Sequence, residues 1–524
     1  MRGYRTVSLC AAAAAVLLAT PAALADFLQL KDGRTVEGLP MRRDGDAIVV
    51  EYLNGAVRVP LADVEDFLIE GVPPFEPKTD EEKARRAQGL VPHRGKWVKP
   101  EVRDKALRAE IEKRKKEFED ELKHREWKDR YRFSTKNFDV ESTLGPRAND
   151  DYATLLETYF KEFGAQWKTQ VPKGWGRLKV CMYRDRNDFH RTSGTSGGIL
   201  AFYRFVEPRE LDFFYDRTDP AQTEEALFHE ANHYLTHLLN ADFNYPHWVN
   251  EAMAEYYGAS TWDPETKTMK VGGVQQYRLV EVQSDIDKGT YYNLGKLIQS
   301  ESGDYEHYYW GWSFVHFMME SPKYSKKFQK FFVDLARAPD VERRPGNSLA
   351  NMKGVSGKEV LRVFESRMGL KDLAALQEEW YAWVRSLRTS DIRGVEQAGL
   401  RAYREGRSLR AGRLLKEAID KGSRTMQVHI AYAWILRFAK EEGSREKSLQ
   451  VLARACEIDP LEPDAWAHRG YFLRAAGLGA EGDRCIALAK EMNPSDDYLW
   501  LEIQDKLREA TAAKGGGGAG EDGK

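Results

Sequence analysis

The chain lacks three features that would narrow its role at once. It holds four cysteines in 524 residues. Cys10 falls in the N-terminal apolar stretch, so Cys181, Cys456 and Cys485 remain, too few for a disulfide framework. It has no excess of either charge: 80 Lys and Arg stand against 82 Asp and Glu, a formal net charge of −2. Nothing in that balance directs it to nucleic acid or to an anionic membrane surface. It also has no apolar run near the roughly 18 residues that a membrane-spanning helix needs. Charged residues make up 31% and hydrophobic ones 42%. This is globular composition, in a chain long enough for roughly two to four domains.

At the N-terminus, Arg2 and Arg5 precede the alanine-rich stretch Leu9 to Leu18, and Ala23-Leu24-Ala25 reads A-x-A. That is a secretory signal peptide over residues 1–25, with Asp26 starting the mature chain. It predicts export to the periplasm or the extracellular space. Residues 26–75 alternate as short strands, with turns at Asp32-Gly33 and Asn54-Gly55, which predicts a small SH3-like β-barrel. Residues 76–130 mix Lys and Glu densely, and Lys105 to Trp127 reads as a long exposed helix within a charged helical connector. At the C-terminus, Tyr432, Trp466 and Trp500 recur every 34 residues, as do Gly443 with Gly477, Phe438 with Phe472 and Pro460 with Pro494. This is the tetratricopeptide period, so helical repeats are expected over 391–511, with a degenerate earlier unit from Ala398 to Gly422. Such repeats stack into a concave surface that binds peptides or protein partners, or else cap a neighbouring domain. Residues 512–524 are a flexible glycine-rich tail.

The most informative stretch is His229-Glu230-Ala231-Asn232-His233, an H-E-x-x-H. On a helix, histidines at i and i+4 share one face and can grip one zinc ion, and the glutamate between them can serve as general base. Leu227, Ala231, Tyr234, Leu235 and Leu238 recur at helical spacing, with Thr223 as the expected cap. Pro246 breaks the chain and a second helix is expected from about Trp248. On it, Glu251 can supply a third ligand, and Glu255, one turn on, can accept a hydrogen bond from a ligating histidine. His237 cannot join them: the helix rises about 12 Å between His229 and His237, too far for one ion.

Glu251 lies 18 positions after His233. With the Asn250-Glu251-x-x-Ala254-Glu255 pattern, the chain resembles the gluzincin branch of the H-E-x-x-H metallopeptidases, and the stretch 246–257 is most similar to secreted bacterial peptidase-like proteins of unassigned function. No G-x-M-E-N segment of the aminopeptidase N kind is present. The resemblance implies an α+β, zincin-like metallopeptidase domain over 131–390, with a mixed sheet and active-site helices. It implies one Zn²⁺ per chain on His229, His233 and Glu251, with Glu230 as general base and Glu255 behind the first histidine. An oxyanion-stabilising tyrosine or histidine is expected from the later helical part, where Tyr308 and Tyr309 stand, with Tyr309 the named candidate. In the resembled fold, an edge strand just before the motif helix binds extended substrate.

Two functions follow as expectations. One is a secreted zinc-dependent peptidase that hydrolyses peptide or protein substrates through a metal-activated water. The other is a non-catalytic scaffold with a vestigial zinc site, binding partners through its repeats and its β module.

Overall fold

The computed structural model describes residues 8–9, 26–31, 34–196, 198–217, 219–346, 352–388, 391–439 and 442–493. The expected leader apart from Ser8–Leu9, the Asp32-Gly33 turn, Gly197, the repeat positions Pro494 and Trp500 and the glycine-rich tail lie outside the described residues. The fold is mixed α+β with a C-terminal region of many helices. It divides into two compact units, residues 1–120 with 423–524, and residues 121–422. No helix among the described residues is long and apolar enough to cross a membrane.

In the first unit, Ala47–Tyr52 pairs antiparallel with Met41–Asp44 and Gly55–Pro60, and Leu53-Asn54 forms the hairpin tip. Phe27–Leu30 pairs with Thr35–Glu37 and Val64–Leu68. These strands do not bury their apolar side alone. Leu28, Ile48, Val50 and Val59 share one cluster with Leu461, Leu488 and Met492 from the C-terminal helices. The Glu491 carboxylate accepts the backbone N–H groups of Leu53 and Asn54 at 2.7 and 3.1 Å. Arg34, 6% exposed, pairs with Asp459 at 2.9 Å. Strands and helices far apart in sequence thus form one body.

The helices Met426–Phe438, Ser444–Ile458, Pro463–Ala475 and Gly479–Met492 stack as two pairs. Gly443 and Gly477 take positive φ of 75° and 86° at equivalent turns, where a side chain would be strained. The Trp434 indole donates to His468 Nδ1 at 3.1 Å, one 34-residue period away. The charged helix runs Pro100–Lys123, starting five residues before the expected Lys105. One of its faces is buried: Arg103, Leu107 and Arg114 recur at helical spacing, and Arg103 bonds Asp66 and the Phe67 carbonyl. The two arginines disguise that face as solvated in the sequence, because a paired arginine can be buried while it reads as polar.

The second unit holds a five-stranded sheet in the order Tyr131–Ser134, Phe138–Ser142, Leu178–Tyr183, Glu210–Phe214, Ala201–Arg204. The three middle strands are parallel, and both edges pair antiparallel. Leu211 and Phe213 point into the main core, with Leu155 and Tyr159 of the helix Pro146–Trp167 and Leu227 and Phe228 of the helix Pro220–His237. Later helices extend this core around Trp248, Trp310, Trp312 and Trp380, each at most 1% exposed. The helices Asp391–Arg404 and Ser408–Asp420 complete the unit, the first packing on Gln276–Asp287.

Candidate metal centre

The motif helix begins three residues before the expected cap. Asp219 is the N-cap and accepts the Gln222 N–H at 3.3 Å, with Pro220 in the first turn. Proline there already has the helical φ and lacks only an N–H that would go unused. Thr223 is instead buried, and its hydroxyl accepts the Asp216 N–H at 2.8 Å. Leu227, Phe228, Ala231, Tyr234 and Leu235 bury one side of the helix. Asn232 is fully buried and donates to the Tyr159 hydroxyl at 3.0 Å, which pins the helix in rotation. The opposite side therefore presents His229, Glu230 and His233, all half-buried. Pro246 caps the second helix, His247–Gly258, and its buried Trp248, Val249, Ala252 and Met253 turn Glu251 toward the histidines.

His229 Nε2 and His233 Nε2 lie 3.3 and 3.7 Å from Glu251 Oε2. The three donor atoms all fall within 4.8 Å of one another. Two atoms bonded at about 2.0 Å to one tetrahedral ion are about 3.3 Å apart, so the donor set suits zinc in both chemistry and size. Glu255 Oε1 is 3.9 Å from His229 Nδ1. The electrostatics point the same way. Burial disfavours the charged form of His229, yet its hydrogen bond to Glu251 and the charges of Glu230, Glu255 and Glu251 outweigh it and raise the imidazole to about 9. Burial likewise opposes ionisation of Glu251, but His233 and His229 pull it down to about 2. A proton on the imidazole thus balances the neighbouring carboxylates. Glu230 is raised by burial, and its Oε2 accepts the Tyr203 backbone N–H at 3.0 Å. Tyr203 belongs to the edge strand Ala201–Arg204.

Tyr309 has other neighbours than the site's carboxylates. Its hydroxyl is pushed up by burial and then by Asp285, Glu306 and Glu281, none of them a residue of this site. Its neighbour Tyr308 takes the facing position: burial and then Glu251 and Glu255 raise it, with Glu230 adding to them. The pair sits in a π-helical turn, His307–Gly311. Such a turn shifts side-chain register, so 3.6-residue periodicity could not choose between two adjacent tyrosines. His237 stays apart, bonded to the Tyr203 hydroxyl and the Ala241 carbonyl, both at 3.0 Å. His247 lies 3.2 Å from His307, Nδ1 to Nδ1, and its ring sits 5.8 Å from that of Tyr308.

Sequence reasoning missed the groups behind Glu255. Arg278, Tyr277 and Gln275 all bond its carboxylate, and they come from a later helix and its cap, with no motif to mark them. It also missed a second cluster on the outer face of the sheet. Cys181, Glu210 and Asp212 offer three donor atoms within 4.8 Å, brought together because Cys181 and Asp212 are register partners on adjacent strands.

No family model matches the chain, and no curated protein is significantly similar to it.

Proposed function

We propose that this chain is an exported zinc-dependent peptidase. The observation that carries the reading is the convergence of His229 and His233 from one helix with Glu251 from the next, at separations that suit one tetrahedral ion. His229, His233 and Glu251 would hold the ion. When bound there, zinc supplies the Lewis acidity that makes water nucleophilic near neutral pH and polarises a carbonyl.

The chain's own residues do the rest. Glu230 takes a proton from the attacking water and returns it to the leaving amine. The Tyr203 N–H fixes one oxygen of Glu230 and leaves the other to face the reacting atoms. Tyr308 is the donor for the developing oxyanion. The strand Ala201–Arg204 borders the site at a sheet edge, where an extended peptide can add by backbone pairing. The mixed sheet with its motif helix supports the zincin-like reading of this unit. The antiparallel pairings of the strands over residues 27–68 support the SH3-like one. Export rests on the leader motif of residues 1–25.

The test compares wild type with Glu230→Gln on a complex peptide mixture, reading new termini by mass spectrometry beside zinc content. Cleavage by wild type alone, at about one zinc per chain, is expected. Stoichiometric zinc without cleavage favours the scaffold role instead.

A further inference from the structure

We infer that Arg278 is a positioning residue for the metal centre, holding the Glu255 carboxylate in place behind His229. This rests on the zinc reading above. The same oxygen, Glu255 Oε1, faces His229 Nδ1 at 3.9 Å and accepts Arg278 Nη2 at 2.5 Å. The other oxygen accepts the Tyr277 hydroxyl at 3.1 Å. Glu255 is thus held from two sides by consecutive residues of one helix.

Arg278 is itself fully buried. Its Nη1 donates to Glu281 at 3.2 Å and to the Tyr305 hydroxyl at 3.1 Å. Its guanidinium also lies over three tyrosine rings, those of Tyr277, Tyr305 and Tyr308, with centroids at 4.6, 5.6 and 5.2 Å. One of those rings, Tyr308, is the tyrosine that faces the site. The clamp is braced from outside: Arg401 donates to the Tyr277 hydroxyl at 3.0 Å, and Arg407 to Glu281 at 3.1 Å. A buried arginine bonded to two carboxylates is a costly way to stabilise a fold, since an apolar replacement often does as well. A fork that fixes one carboxylate oxygen is well suited to orienting a ligand's hydrogen-bond partner.

The test measures zinc affinity of the full chain by competition with a chromophoric chelator, with a thermal melt for every variant. Arg278→Lys keeps the buried charge but loses the fork. It is expected to fold and to bind zinc about tenfold more weakly, as is Glu255→Gln. Adding Arg278→Lys to Glu255→Gln is expected to cost less than about twofold more, because the carboxylate it acts through is already gone. Wild-type affinity in folded Arg278→Lys overturns the inference. So does a second full tenfold loss in the double variant, which would mean that Arg278 acts on the fold and not through Glu255. If Arg278→Lys does not fold, Arg278→Gln joined to Glu281→Gln removes one buried charge of each sign, and unchanged affinity in that pair overturns the inference. A wild type that takes up no zinc sinks the metal reading and this inference together. A failure confined to the Arg278 comparisons leaves the metal reading standing.

Discussion

Two clusters in the second unit pass the same test of proximity, three potential donors within 4.8 Å, yet their charged surroundings differ. Around His229, His233 and Glu251, carboxylates outnumber cations near the donors. Glu251 is drawn down to about 2, and His229 is raised to about 9. Around Cys181, Glu210 and Asp212, cations are already present: Lys179 lies 3.6 Å from Glu210, and Arg204 pairs with it on the other side. Burial then pushes the Cys181 thiol well above its usual range and Asp212 up to about 7, so the thiol stays protonated and the carboxyl is only partly ionised near neutral pH. The first cluster favours an ionised carboxylate; in the second, burial favours the protonated donors. Closeness of donor atoms is therefore a weak criterion for a metal centre until the surrounding charge is counted.

The sharpest way to break this comparison is zinc content. His229→Ala should take the chain from about one zinc to none, while Cys181→Ser should leave the stoichiometry unchanged, both read by elemental analysis after dialysis. Zinc lost from Cys181→Ser and kept in His229→Ala would reverse the assignment. Next in size, Glu230→Gln should lower peptide hydrolysis at least about a hundredfold with zinc retained. Tyr308→Phe should lower kcat about tenfold, and Tyr309→Phe should stay within about twofold of wild type. Equal losses in both would remove the distinction drawn from the π-helical turn.

The smallest effect concerns the second cluster and pH. Asp212 binds its proton more tightly folded, at about 7, than its ordinary 3.8, because burial disfavours the carboxylate. Between those values the folded state holds more protons than the unfolded one, so stability contributed here falls as pH rises from about 4 to about 7. Asp212→Asn mimics the protonated acid and can still accept from Tyr183, which donates to Oδ1 at 2.8 Å. Its melting temperature should exceed that of wild type by several degrees at pH 7.5, and the gap should shrink at pH 5. A constant gap would show that Asp212 is ionised throughout.

Much of the first cluster was legible in the chain because its residues lie on two consecutive helices. Helical spacing puts His229 and His233 on one face, and Pro246 with the apolar residues after it announces the second helix. The cap was misjudged by four residues, Thr223 for Asp219, because Asp219-Pro220 is as good a start as Thr223. The choice between Tyr308 and Tyr309 was beyond reach, since a π-turn leaves no trace in apolar periodicity. The second cluster and the Arg278 clamp were invisible for a different reason. Cys181 meets Asp212 only through strand register, and Arg278 meets Glu255 only when a later helix packs down.

The same division holds in the first unit. The 34-residue period and the Asn54-Gly55 hairpin are local patterns, and they emerge in the structure as helix pairs and a two-residue loop. That the strands and those helices bury one shared core, with Glu491 bonded to the hairpin tip, is a long-range fact. The sequence by itself determined the motif helix, its ligand face, the candidate third ligand and the repeat period, because each follows from backbone periodicity over one or two turns. The tertiary structure alone decided which tyrosine has the site's carboxylates as neighbours, what holds Glu255, and how the two three-donor clusters differ in their charged surroundings. Those outcomes depend on burial and on charges contributed by segments far away in the chain.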